Sequence, residues 1–157
     1  MTIPPNVTSI GEYAFCNCTN LTAVTIPPSV TEIGRSAFEE CTGLTSVIIP
    51  DGVTIIQGES FRGCSNLVSV TIPPSVTNVC AWAFCGCSGL KSVVIPLSVK
   101  SIGPDAFRHC HGLTSVTLPE GLTSVEEDAF NDCSGLMSVT IPPHVTNIGS
   151  SAFEGCR

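Results

Sequence analysis

The sequence predicts an α/β, β-rich, right-handed solenoid of about seven coils, with parallel strands and short helical turns. Three observations carry that expectation. Seven phenylalanines stand at Phe15, Phe38, Phe61, Phe84, Phe107, Phe130 and Phe153, every step being 23 residues without insertion or deletion. A proline follows an apolar stretch at the same phase of every copy, from Pro4, Pro27 and Pro50 to Pro142. Cysteines keep the period at Cys18, Cys41, Cys64, Cys87, Cys110, Cys133 and Cys156. A fixed period of 20 to 50 residues marks a stacked array in which each unit leans on its neighbours.

Each repeat aligns on Leu-x-x-Val-x-Ile-Pro-x-x-Val-x-x-Ile-Gly-x-x-Ala-Phe-x-x-Cys-x-x, as it stands from Leu21 to Gly43. The apolar positions around Val24 and Ile26 alternate with polar ones, which predicts a strand, and the proline that cannot donate to a ladder predicts its end. Val30 and Ile33 predict a second, shorter strand. Glycine at Gly11, Gly34, Gly103 and Gly149 predicts a further turn through a positive φ. Ala37-Phe38-x-x-Cys41 has the spacing of a helical or 3₁₀ turn closing the coil. The side chains one repeat can bury do not offset the ordering of its 23 backbone units, at ~1–2 kcal/mol each, so copies must stack to fold.

Composition excludes several functions. The formal charge of −7, from 13 acidic and 6 basic side chains, repels phosphate backbones, so no nucleic acid is expected as a partner. Apolar runs such as Val47–Ile49 are interrupted far short of the ~20 residues a membrane-spanning helix needs, so no membrane span is expected. Met1 leads straight into the repeat, and the absence of a visible basic and apolar leader there excludes nothing, because a mature fragment would read the same.

The repeat from Leu21 to Cys41 resembles the BspA-like class of leucine-rich repeats, over essentially the whole chain. The resemblance implies a single leucine-rich-repeat solenoid domain over residues 1–157, and a surface-exposed or secreted protein engaged in adhesion and protein binding. Where the ordinary leucine-rich pattern carries asparagine after the strand, this one has proline and a turn.

The periodic cysteines predict an inward line of free thiols acting as small apolar fillers, since in-register Cα–Cβ vectors do not converge as a disulfide needs. A disulfide ladder is the lesser alternative. Cys16, Cys80 and Cys85 leave the line. Tyr13 with Cys16 and Trp82 with Cys85 repeat one spacing three copies apart, which suggests a lateral partner patch; neutral drift on a tolerant surface or a Cys80–Cys85 bridge is the plainer explanation. His109 and His111 flank Cys110, yet neighbours of an inward residue point elsewhere, so no metal site is expected. Glu126, Glu127, Asp128 and Asp132 lack the order of a calcium loop. No nucleophile elbow, phosphate loop or carboxylate pair breaks the period, so neither catalysis nor a cofactor is expected.

The outward strand positions offer the best candidate surface: Thr25, Ser46, Ser69, Thr71, Ser92, Ser115, Thr117, Ser138 and Thr140 form a hydroxyl-rich, nearly uncharged ribbon suited to a protein or glycan ligand. Ser and Thr also suit exposed strands on propensity alone, and similar arrays occur on ice-binding solenoids. Asn6, Asn17 and Asn20 head glycosylation sequons, relevant on a eukaryotic secretory route. Neither terminal repeat reads as a polar cap, so both ends are expected to be open to head-to-tail self-association. The expected function is an extracellular or cell-surface binding and adhesion scaffold, the alternative a structural subunit of a filament.

Overall fold

The computed structural model describes residues 1–157. Its strands are short because proline and turn residues cut every apolar run. In chain order they are β1 (Ser9–Ile10), β2 (Glu32–Ile33), β3 (Ser46–Ile48), β4 (Ile55–Ile56), β5 (Ser69–Thr71), β6 (Asn78–Val79), β7 (Ser92–Val94), β8 (Ser101–Ile102), β9 (Ser115–Thr117), β10 (Ser124–Val125), β11 (Ser138–Thr140) and β12 (Asn147–Ile148). All pairings are parallel and join residues one repeat apart, such as Ser46 with Ser69 and Val93 with Val116. The three-residue strands make one face, paired as β3–β5 and β7–β9–β11; the two-residue strands make a second, paired as β1–β2, β4–β6–β8 and β10–β12. Both strands expected from the repeat are therefore present.

The third side of each coil closes without a helix, which corrects the expected helical turn. Ala37, Glu39 and Cys41 donate their N–H groups within the coil, to Gly34, Ser36 and Phe38, whereas the intervening Ser36, Phe38 and Glu40 donate to Gly58, Ser60 and Arg62 of the next coil. A helix needs consecutive N–H groups to point one way along its own axis. Here every second one is spent on a neighbour. The geometry requires left-handed backbone at two positions per coil, for instance Ser36 (φ 53°) and Glu40 (φ 55°), and these recur through all seven copies.

Those left-handed positions are not the expected glycines. Gly11, Gly34, Gly103 and Gly149 keep ordinary φ, so the predicted role of that column is corrected. At Gly34 a Cβ would lie 2.6 Å from the Glu12 nitrogen, and at Gly149 2.5 Å from that of Glu127. Close approach of successive coils, rather than a turn, demands the missing side chain there.

Inside, the phenylalanine rings form one stack, with centroids 5.1 to 5.5 Å apart and planes within 16° of parallel. Phe38, Phe61, Phe84, Phe107 and Phe130 are wholly buried, beside rows of leucine from Leu44 to Leu136 and valine from Val30 to Val99. Offset stacking adds to the area buried by each ring.

From Cys41 to Cys156 the cysteine line faces inward, whereas Cys18 in the first coil is exposed, which corrects the expected line at that position; no bridge forms, and all ten cysteines are free. Each thiol from Cys41 to Cys156 donates to the carbonyl of the phenylalanine 26 residues earlier, at 3.0 to 3.3 Å. That carbonyl also accepts the N–H of the cysteine in its own coil, as Phe38 does from Cys41 and Phe61 from Cys64. Both lone pairs are thus used in the dry core, a role for sulfur beyond that of an apolar filler.

Candidate binding face

The face built by β3, β5, β7, β9 and β11 follows from strand alternation. Its central valines point into the core and the flanking residues point to solvent. All nine residues of the expected ribbon, Thr25, Ser46, Ser69, Thr71, Ser92, Ser115, Thr117, Ser138 and Thr140, are exposed. Register aligns them: Ser46 sits beside Ser69, Ser115 between Ser92 and Ser138, and Thr117 beside Thr140. Two branched apolar side chains interrupt the threonine row, Ile48 at 69% exposure and Val94 at 76%.

The face is not continuous. No ladder joins β5 to β7, and none joins β3 to the coil before it. A cleft opens at each gap. One, of about 310 Å³, is lined by Ser69, Val70, Thr71, Ile72, Ser92 and Val94. The other, of about 200 Å³, lies between Val24–Ile26 and Ser46–Ile48. Sequence reasoning missed both clefts. Their only trace in the sequence is the pair of apolar residues in a row of threonines.

The expected partner patch is altered. Tyr13 is exposed and Cys16 and Trp82 are half-buried, but Cys85 is buried at 5% exposure rather than on the outer surface. It sits in the same column as Arg62 and Arg108, and burial pushes its thiol up to about 11 despite both guanidinium charges. Cys80 and Cys85 form no bridge. Around this turn side runs an ion-pair network that the sequence did not announce. Arg35 pairs with Glu59, Arg62 with Glu39 and Glu59 while lying 5.8 Å over the Trp82 ring, and Arg108 with Asp105 and Asp128.

The histidines are engaged in the same region. His109 Nδ1 lies 3.4 Å from the Asp132 carboxylate, and His111 Nδ1 lies 2.9 Å from the Asp132 carbonyl and donates to it. Asn6, Asn17 and Asn20 are all exposed, and the Asn17 amide donates to Cys16 Sγ at 3.2 Å.

This geometry can be set against known proteins. The sequence profile of the BspA type leucine rich repeat region matches six copies, over residues 1–111 and 35–157. The chain belongs to the BspA-type leucine-rich repeat family. Its fold is similar to that of a T. pallidum leucine-rich repeat protein, with a TM-score of 0.95 and 34% identity over 99% of this chain and 75% of that one. It is similar also to a leucine rich cell surface protein from Faecalibacterium prausnitzii A2-165, with a TM-score of 0.91 and 40% identity over 99% of this chain and 44% of that one. For a leucine-rich repeat protein from Bacteroides ovatus ATCC 8483 the values are 0.78 and 31%, over 95% and 47%. This BspA-type chain thus spans three quarters of the first and under half of the other two. Among curated proteins, none has a sequence that matches it.

Proposed function

We propose that this BspA-type repeat chain is a non-enzymatic binding and adhesion scaffold with an extracellular or cell-surface address, and that its recognition surface is the Ser/Thr face. The observation that carries the reading is two in-register runs of exposed hydroxyls, Ser46–Ser69 and Ser92–Ser115–Ser138, in one column of a face whose outward columns hold a single charge, Lys91. Hydroxyls both donate and accept, so an ordered row of them matches a polar, uncharged ligand without the desolvation cost of buried ions. The cell-surface description of the F. prausnitzii relative supports the address.

A panel of immobilised matrix proteins and glycans, probed with labelled protein, tests this. The expected result is selective binding that a Ser69→Lys, Ser115→Lys double variant abolishes. Silence across the panel, or binding indifferent to that variant, overturns it.

The filament reading draws on one feature. The ring stack carries on to Phe15 and Phe153, both only partly buried, so the surface each coil offers its neighbour is presented again there. A second copy docking there would extend the stack head to tail. A monodisperse monomer in light scattering at high concentration rejects this arrangement; fibres seen by electron microscopy support it.

A further inference from the structure

Building on the proposed binding face, we infer that its ligand is an extended, neutral polysaccharide of β-(1→4)-linked N-acetylglucosamine, lying along the solenoid axis with one sugar per coil. The argument begins with period. Successive coils are spaced by ~4.8 Å along paired strands and by 5.1 to 5.5 Å at the phenylalanine rings. A β-(1→4)-linked chain of hexopyranoses advances by nearly this distance per sugar and stays straight, whereas an α-(1→4)-linked chain coils away from a flat surface. A repeating ligand thus meets the same hydroxyls coil after coil.

The second observation is a two-coil alternation. The clefts lie between the second and third coils and between the fourth and fifth, two coils apart on one face. Ile48 and Val94 line them, also two coils apart and in one column. In a β-(1→4)-linked chain each sugar is flipped relative to the last, so acetamido groups recur on one side at every second residue. That places acetyl methyl groups against Ile48 and Val94. At each gap the ladder is interrupted, with bonds from the Thr45 N–H to the Thr22 carbonyl and from the Lys91 N–H to the Val68 carbonyl crossing at one end, so strand N–H and C=O groups beyond them lack a ladder partner. The third observation is charge. With Lys91 the one charged side chain on the outward columns, a sulfated or uronic polymer would find too few cations.

Titration calorimetry with N-acetylglucosamine oligomers from dimer to hexamer, cellohexaose and maltohexaose tests the assignment. Affinity is expected to rise with length for the N-acetylglucosamine series, to be weaker for cellohexaose and absent for α-linked maltohexaose. Ile48→Glu and Val94→Glu, at sites exposed enough to leave folding intact, should each weaken hexamer binding about tenfold, while Leu97→Glu, exposed but beyond Pro96, should not. Cellohexaose binding as tightly as the acetylated hexamer overturns the inference, as does hexamer binding indifferent to both glutamate variants. If no oligomer binds but a protein on the panel does, and the Ser69→Lys, Ser115→Lys variant abolishes that binding, the polysaccharide is wrong and the scaffold stands. Loss of all binding removes both.

Discussion

Ser60 stands in a column otherwise filled by alanine, fully buried and with no partner for its hydroxyl. A buried donor without an acceptor costs about 1–3 kcal/mol. Ser60→Ala should therefore raise stability, by roughly 1 kcal/mol, read from the midpoint of chemical denaturation. Gly86 gives the opposite case. Its φ is +75°, and the nearest atoms to an added Cβ are at an ordinary 3.6 Å, so the cost of Gly86→Ala is conformational alone. Left-handed backbone costs an L-residue about 1–2 kcal/mol, and the same measurement should show a loss of about that size, trimmed by the lower entropy of the unfolded alanine chain. The first left-handed position was not legible in the sequence, because Tyr13, Glu59, Trp82 and Asp128 are among the residues that fill it without any glycine, whereas the second carries a partial signal in Gly63, Gly86 and Gly155 that Glu40 and His109 obscure. Conversely, the glycines that invited a turn reading at Gly34 and Gly149 answer to the nearness of the next backbone, a distance no local pattern encodes.

Among the repeating elements, the cysteine ladder has the clearest chemical consequence. Burial raises the thiols of Cys41 and Cys85 from 9.0 to about 11, and those of Cys64, Cys87 and Cys110 further still. The folded state thus holds these protons more tightly than the unfolded state. Their contribution is complete below the unfolded value near 9 and is lost as pH climbs through the folded values, so thermal stability should fall steadily from about pH 9 to 11. A melting temperature flat across that window would contradict the ladder. Native-state alkylation followed by mass spectrometry offers a second check. Cys18 should react first, then the half-buried Cys16, Cys80 and Cys156, while Cys41, Cys64, Cys85, Cys87, Cys110 and Cys133 stay protected until unfolding. That the cysteine line faces inward was readable from its period. Donation to the phenylalanine carbonyl was not, because it joins residues 26 apart and depends on how coils are offset. The closing segment was misread as helical for a related reason. Ala37-Phe38-x-x-Cys41 has helical spacing, but three of the six N–H groups from Ser36 to Cys41 are claimed by Gly58, Ser60 and Arg62.

For the whole molecule, stability in a stacked array is close to a sum over coils and their interfaces. Phe84 touches a ring on each side, at 5.4 and 5.3 Å, whereas Phe15 has one such neighbour. Phe84→Ala should cost about 3–5 kcal/mol and split unfolding into two transitions as the halves uncouple. Phe15→Ala should cost distinctly less and leave a single transition, with calorimetry distinguishing the two. Charge is partitioned at this scale as well. The ion pairs of Arg35, Arg62 and Arg108 gather on the turn side, leaving the strand face nearly neutral, which is what the proposed ligand requires.

By itself the sequence determined the coil: its length, its corners, the inward rows of phenylalanine, leucine and cysteine, and the outward ribbon of hydroxyls. A 23-residue period with no slip forces equivalent side chains into line wherever copies stack. The tertiary structure alone decided what passes between coils, namely which N–H groups cross, where the ladder fails and opens a cleft, and why Gly34 can bear no side chain. The division has one physical cause. Periodicity specifies what each residue is and which way it faces, whereas hydrogen bonding and close approach depend on ångström-scale offsets between backbones far apart in the chain.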